Sequence, residues 1–173
     1  TYVFTPTYIE EGHLIQQPAY SKEPMAQRNE EAIKLLEEAG YSKANPLKFT
    51  ILYNTNENHK KVAIAAASMW KANTKGLIDV KLENQEWKTY IDSRRAGRYD
   101  AARAGWNADY NQATTFGNYF LSNSSNNTAK YANPEYDKAI AESYVATDAE
   151  GRAKAYAKAE EILAKDFGIV PIF

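Results

Sequence analysis

The residues best suited to chemistry gather in one stretch, residues 101–111, with the sequence AARAGWNADYN. Arg103 lies among small residues, and Asp109 lies between Trp106 and Tyr110. Small side chains let a second extended backbone approach and exchange main-chain hydrogen bonds with a strand. Asp109 could hold an ammonium group, and Arg103 could attract a carboxylate. The same spacing also fits a core strand covered by a helix, with Arg103 reaching solvent.

Three further positions are candidates outside this stretch. Trp87 follows a predicted strand at the start of a helix, where it would either line a cleft or enter the core. Arg94 belongs to a small basic cluster with Arg95 and Arg98, which is typical of a solvated helix face. His59 begins a helix, where the positive end of the helix dipole disfavours its charged form, although its ring could still donate a hydrogen bond to an anion.

Composition and motifs exclude several classes of function. The chain has 173 residues, no cysteine and two histidines, His13 and His59, far apart in sequence, so we expect no local metal site and no cofactor. Motifs of serine hydrolases, zinc proteases, dinucleotide-binding folds and P-loops are absent. The net charge of −1 argues against nucleic-acid binding, and no apolar run is long enough to predict a membrane span.

Strands alternate with helices along the chain, which predicts an α/β layered domain with a parallel or mixed sheet. The predicted strands are 47–53, 78–82, 99–106 and 169–173. The predicted helices are 25–39, 59–75, 87–95, one that begins at Pro134 and one that ends at about Asp166. A long polar loop, 107–133, contains a helical turn. Ligands of such sheets bind beyond the carboxyl ends of the strands, which points to the third strand and the loop after it, residues 101–111.

The two ends of the chain predict a piece of a longer protein. Residues 1–24 contain three prolines and no periodicity, and are predicted to be an extended arm. The chain begins at Thr1 without a signal segment and ends on an apolar run at Phe173. Chain termini are usually solvated, so an apolar end predicts an excised segment.

Several runs of the sequence resemble the periplasmic oligopeptide-binding proteins, which are the large, cluster C solute receptors of bacterial peptide ABC transporters. The runs are 52–55, 59–61, 63–68, 82–89, 102–106, 108–111 and 124–128. The resemblance implies a mixed-sheet lobe of a type II periplasmic binding protein, with residues 1–173 as the single C-terminal lobe of a two-lobe receptor. It also implies a periplasmic location with a signal peptide upstream, an extended oligopeptide as ligand, and the transporter's permease and ATPase subunits as partners.

The resemblance assigns a role to each candidate residue. Asp109 would pair with the α-ammonium group of the peptide. Arg103 and His59 would approach the peptide carboxylate at different peptide lengths. Main-chain hydrogen bonds would come from Ala104, Gly105, Trp106 and Asn107, and side-chain pockets would be lined by Trp87, Arg94 and Trp106. Asn107 departs from well-known members of the family, which carry cysteine there, but its main-chain groups are unaffected.

Two other functions stay open at this point. A receptor for murein peptides in the same family fits the sequence almost as well in general architecture. A hydrolase that uses Asp109 with Arg103 is an alternative of another class, although the sequence offers no clear nucleophile. The expected function is therefore binding and transport rather than catalysis.

Overall fold

The computed structural model describes residues 7–10, 13–16 and 24–170. Its strands are β1 (Thr7–Glu10), β2 (His13–Gln16), β3 (Leu47–Asn54), β4 (Ile78–Gln85) and β5 (Ala101–Ala102). Its helices are α1 (Met25–Glu38), α2 (Glu57–Asn73), α3 (Trp87–Arg95), α4 (Thr114–Gly117), α5 (Pro134–Val145) and α6 (Ala149–Asp166), with a 3-10 turn at Asn118–Phe120. The chain divides into two compact units. The sheet unit is Glu23–Gly105, and the helical unit joins Thr1–Lys22 to Trp106–Phe173.

The sheet unit is built on a parallel three-stranded sheet in the order β4-β3-β5. β3 is central because it pairs with β4 on one side and with β5 on the other. Its apolar face, which includes Ile51 and Tyr53, packs against Ala63 and Trp70 of α2. Asn56 caps α2 and thereby sets where the chain leaves the sheet. The predicted α/β class with a parallel sheet is confirmed, and so is the helix predicted at 87–95.

The third predicted strand, 99–106, is much shorter than expected. It spans only Ala101–Ala102, and the Arg103 N–H adds one bond of 2.8 Å to the Leu52 carbonyl. Ala102 pairs with Leu52, and β3 continues for two residues beyond that pair, so β5 ends before its partner strand does. Of the strand predicted at 169–173, Ile169 and Val170 are irregular, and the rest lies outside the described residues.

The helical unit has its core between α5 and α6. This core contains Tyr136, Ala139, Ile140, Ala159 and Leu163. The helical turn predicted inside loop 107–133 is confirmed as α4 and the 3-10 turn. The arm predicted at 1–24 includes the antiparallel hairpin of β1 and β2, which lies against α6; its other residues lie outside the description. That residues 1–173 form one lobe of a larger receptor stays a prediction.

Gly117 joins α4 to this core at a close approach. A Cβ atom added to Gly117 would lie 2.7 Å from Cδ1 of Ile140, and the Gly117 carbonyl accepts a hydrogen bond of 2.8 Å from the Tyr136 hydroxyl. The short helix α4 is therefore held by the α5–α6 core. Throughout the described ranges, no helix has the length and apolar character needed to cross a membrane.

Glu160 gives the helical unit a stability that depends on pH. Burial raises the pKa of its carboxyl to about 7 from an ordinary value of 4.5. The contribution of the neutral carboxyl to stability is complete below about pH 4.5 and is lost as the pH rises through about 7. We therefore expect Glu160→Gln to raise the free energy of unfolding at about pH 8 by up to about 3 kcal/mol, with little change at about pH 4.

Urea unfolding at both pH values measures this difference. The matched control is Glu161→Gln, because Lys165 lowers the pKa of the exposed Glu161 carboxyl, so that variant should gain no stability at high pH. An equal response of the two variants would show that burial of Glu160 is not the cause.

Candidate functional site

Three predicted site residues follow the three parallel strands of the sheet unit. His59 lies in the first turn of α2 after β3, Trp87 begins α3 after β4, and Arg103 follows β5 directly. Because parallel strands end at the same edge of a sheet, the structure brings these three positions together at that edge. This edge is where an α/β sheet ordinarily binds its ligand.

The His59 ring is oriented by a buried amide. Nδ1 of His59 lies 2.9 Å from Oδ1 of Asn54, which is buried at the end of β3. The amide oxygen accepts the Nδ1 proton, so the neutral ring carries its lone pair on Nε2. The His59 main-chain N–H donates to the Asn56 side chain, so only the ring is available to a ligand.

Arg103 acts on His59 through its charge. Desolvation is the largest cause that lowers the pKa of His59 from its ordinary 6.5, and the positive charge of Arg103 is the second, while hydrogen bonding to Asn54 opposes both. The two residues predicted to approach a carboxylate are therefore electrostatically coupled. An anion bound beside both would favour the charged ring.

We expect Arg103→Gln to raise the pKa of His59 while leaving it below 6.5, because desolvation remains. NMR titration of the His59 ring protons measures this value. Arg95→Gln removes the same charge from an exposed position on α3 and should leave the His59 pKa unchanged. A His59 titration that Arg103→Gln does not move would contradict the coupling.

Side chains of α3 hold the main chain of Arg103 in place. Tyr90 is fully buried, and its hydroxyl donates a hydrogen bond to the Arg103 carbonyl. The central carbon of the Arg94 guanidinium lies 5.5 Å from the centroid of the Tyr90 ring. The centroid of the Trp87 ring lies 5.8 Å from the same Tyr90 centroid. Arg94 is buried, so its expected place on a solvated face is wrong. Trp87 is 59% exposed, which excludes the core alternative within the described structure.

Gly105 lets the Arg103 side chain lie against the main chain. A Cβ atom added to Gly105 would come within 2.8 Å of Nη2 of Arg103. Ala104 and Gly105 are exposed, and within the described residues their main-chain groups make no hydrogen bond. The strand therefore gives way to a segment whose N–H and C=O groups are free to pair with another backbone.

The remaining predicted residues, Trp106, Asn107 and Asp109, lie at the start of the second segment of the helical unit. Asp109 is exposed, and its carboxylate has no hydrogen-bond or ion-pair partner among the residues that the structure describes. Asn107 is exposed as well. Trp106 is 37% exposed, and its ring contacts the edge of Tyr119 with centroids 5.2 Å apart.

Two residues with clear contacts to the site were missed in the sequence. Tyr90 holds the Arg103 carbonyl, and Thr115 accepts hydrogen bonds of 3.0 Å from the Asp109 N–H and 3.4 Å from Nε1 of Trp106. Neither residue has an unusual spacing. The adjacent pair Thr114–Thr115 in a polar loop was the one available signal.

Comparisons with known proteins show the family of the chain. Residues 2–128 match the family model of bacterial extracellular solute-binding proteins, family 5, middle region. The chain is 96% identical to the periplasmic oligopeptide-binding protein OppA of Haemophilus influenzae, covering 100% of this chain and 32% of that protein. It is 44% identical to the periplasmic murein peptide-binding protein MppA of Escherichia coli, covering 98% of this chain and 31% of that protein.

A solved structure confirms the fold. The crystal structure of Haemophilus influenzae OppA in complex with the peptide RPPGFSPFR has a TM-score of 0.94 and 96% identity, covering 100% of this chain and 34% of that one. The α/β class, as part of a type II periplasmic binding protein, is thus confirmed. The chain spans about a third of the length of the curated relatives it matches. It belongs to the family 5 bacterial extracellular solute-binding proteins.

Proposed function

We propose that this chain is part of a periplasmic receptor that binds extended oligopeptides for an ABC importer. The observation that carries the proposal is the exposed Asp109 carboxylate, which has no partner among the described residues and follows a few positions along the chain from main-chain groups that make no hydrogen bond within that part of the chain. The first can recognise the one positive charge common to all free peptides. The second can recognise the backbone that all peptides share.

In this proposal, the Asp109 carboxylate binds the ammonium group at the amino end of the peptide. A carboxylate that accepts hydrogen bonds from an ammonium group forms a charge-assisted pair, about twice as strong as a neutral hydrogen bond. Its main-chain N–H is held by Thr115, so the loop that carries it is fixed before the ligand arrives. A fixed loop loses less conformational entropy on binding.

The peptide backbone pairs with the segment from Ala104 to Asn107. This segment follows β5 directly, so an extended peptide would continue the pattern of a strand added to a sheet. Main-chain hydrogen bonds do not depend on side chains, which gives affinity without sequence preference.

The carboxyl end of the peptide is assigned to Arg103 and His59. The assignment is supported by the positions of both residues just after strands of the sheet unit and by the charge of Arg103, which lowers the pKa of His59. The side-chain pockets are assigned to Trp87, Arg94 and Trp106. Trp87 and Trp106 present exposed aromatic surface, and Arg94 supports the Trp87 side through Tyr90.

The whole receptor is proposed to act in the periplasm after removal of a signal peptide. It would deliver its ligand to the permease and ATPase subunits of the transporter. Membership of a solute-binding family supports binding rather than catalysis, and neither a cofactor nor a metal enters the proposal. The murein-peptide receptor is the weaker alternative, because MppA is 44% identical to this chain and OppA of Haemophilus influenzae is 96% identical.

The test is calorimetric titration of the full-length protein with trialanine and with N-acetyl-trialanine. We expect trialanine to bind at least about ten-fold more tightly, because acetylation removes the charge that Asp109 recognises. Equal affinities would contradict the role of Asp109. Tighter binding of murein tripeptide than of trialanine would favour the alternative receptor, and cleaved peptide in the mass spectrum after titration would favour a hydrolase.

A further inference from the structure

The side chain of Thr115 joins two residues of the proposed binding site. Its hydroxyl oxygen lies 3.0 Å from the Asp109 main-chain nitrogen and 3.4 Å from Nε1 of Trp106. Both groups are donors, so the hydroxyl accepts from each with its two lone pairs and keeps its own proton for another acceptor. Thr115 is only 5% exposed, so water does not readily replace it.

The short helix α4, which carries Thr115, is anchored at both ends. Thr115 lies in the first turn of α4, two residues after Ala113, which is buried in a cluster with Ala153 and Tyr156 of α6. The other end of α4 is held through the hydrogen bond from the Tyr136 hydroxyl to the Gly117 carbonyl. The hydroxyl of Thr115 is thus fixed relative to the α5–α6 core.

Thr114 and Thr115 have different hydrogen-bond partners. The Thr114 hydroxyl oxygen is equally buried but lies 3.0 Å from the Tyr110 hydroxyl instead. Two adjacent, buried threonines therefore hold different residues of the same loop. This difference gives a matched internal control for any role assigned to one of them.

We propose that Thr115 is the positioning residue for recognition of the peptide ammonium group, which it serves by fixing Asp109 and Trp106 together. This inference rests on the proposed function of Asp109. The free carboxylate of Asp109 is attached to a backbone whose N–H is pinned to the same oxygen as the indole of Trp106. Without that oxygen, Asp109 has to be ordered when the peptide binds, and this ordering reduces affinity.

The experiment compares Thr115→Val, Thr115→Ser and Thr114→Val in the full-length protein, each titrated with trialanine and N-acetyl-trialanine. Valine keeps the volume of threonine and removes the acceptor. We expect Thr115→Val to lose about five- to ten-fold in affinity for trialanine, the equivalent of one hydrogen bond, with little change for the acetylated peptide. Thr115→Ser should restore selectivity for the free amine, and Thr114→Val should retain it. Equal losses for both peptides, or the same loss in Thr114→Val, would overturn the proposal.

A second measurement keeps this inference separate from the proposed function. The indole N–H resonance of Trp106, assigned by its loss in Trp106→Phe, reports the Thr115 contact without any peptide. We expect it to shift and to exchange faster with solvent in Thr115→Val but not in Thr114→Val. An unmoved resonance would overturn the role of Thr115. If the resonance moves while wild-type protein binds both peptides equally, the positioning of Trp106 stands, and the ammonium role fails for Asp109 and Thr115 together.

Discussion

Asp109→Asn is expected to weaken binding of trialanine to the full-length protein by about 2–5 kcal/mol, the range for truncating one partner of a desolvated charge pair. Asparagine has nearly the same shape, and the main-chain N–H that donates to Thr115 is unchanged. The substitution therefore removes the negative charge and leaves the loop in place. The result is a loss of about thirty-fold to several thousand-fold in affinity, measured by calorimetry.

The charge effect must be local to support this assignment. Asp92→Asn is the control, because Asp92 is exposed on α3 and its replacement changes the net charge equally. That variant should bind trialanine as the wild type does. Asp109→Asn should also bind N-acetyl-trialanine with unchanged affinity, since that peptide has no ammonium group. Similar losses for both peptides, or for both variants, would mean that Asp109 does not pair with the amine.

The elements that position the site could be predicted because their signals are local. Asn133 and Pro134 mark the start of α5, where the Asn133 side chain accepts from the N–H groups of Glu135 and Tyr136. The alternation of β3 predicts a strand, and its burial follows from a helix on one side. Strand, turn and helix in that order place His59 and Trp87 at one edge without any knowledge of distant contacts.

Features that depend on contacts through space could not be predicted. The spacing of Arg94 is typical of a solvated helix face, but its guanidinium packs over the ring of Tyr90. The Tyr90 hydroxyl in turn donates a hydrogen bond to the Arg103 carbonyl. β5 ends at Ala102 although its partner β3 continues for two residues beyond the pair Leu52–Ala102, which the residue types of 99–106 do not indicate. Thr115 matters through the position of its hydroxyl, which no periodicity encodes.

Helix amphipathicity was also a poor guide to burial. In α2, Val62 and Met69 are apolar residues at helical spacing but are 36% and 57% exposed, while the buried residue of that helix is Ala63. In α1, Leu35 follows Ala32 at helical spacing and is 58% exposed. A periodic pattern identifies a helix, but which face is covered depends on what packs against it.

Tyr90→Ala should lower the free energy of unfolding by about 3–5 kcal/mol, the range for removing a buried aromatic side chain. Tyr90 is 0% exposed, and Trp87, Arg94 and the Arg103 carbonyl all contact it. Tyr90→Phe keeps the ring and removes only the hydroxyl, so its cost should be about 1 kcal/mol. Urea unfolding monitored by circular dichroism measures both values.

The comparison with Trp87→Ala decides what Tyr90 supports. Trp87 is 59% exposed, so its loss should cost less than Tyr90→Ala even though it removes the contact between the two rings. If Tyr90→Ala were no more destabilising than Trp87→Ala, the packing of α3 beneath Arg103 would not depend on Tyr90. If the order is as expected, Tyr90 couples the core of the sheet unit to the backbone of Arg103. The residue assigned to the peptide carboxylate then owes its position to a side chain thirteen residues earlier in the chain.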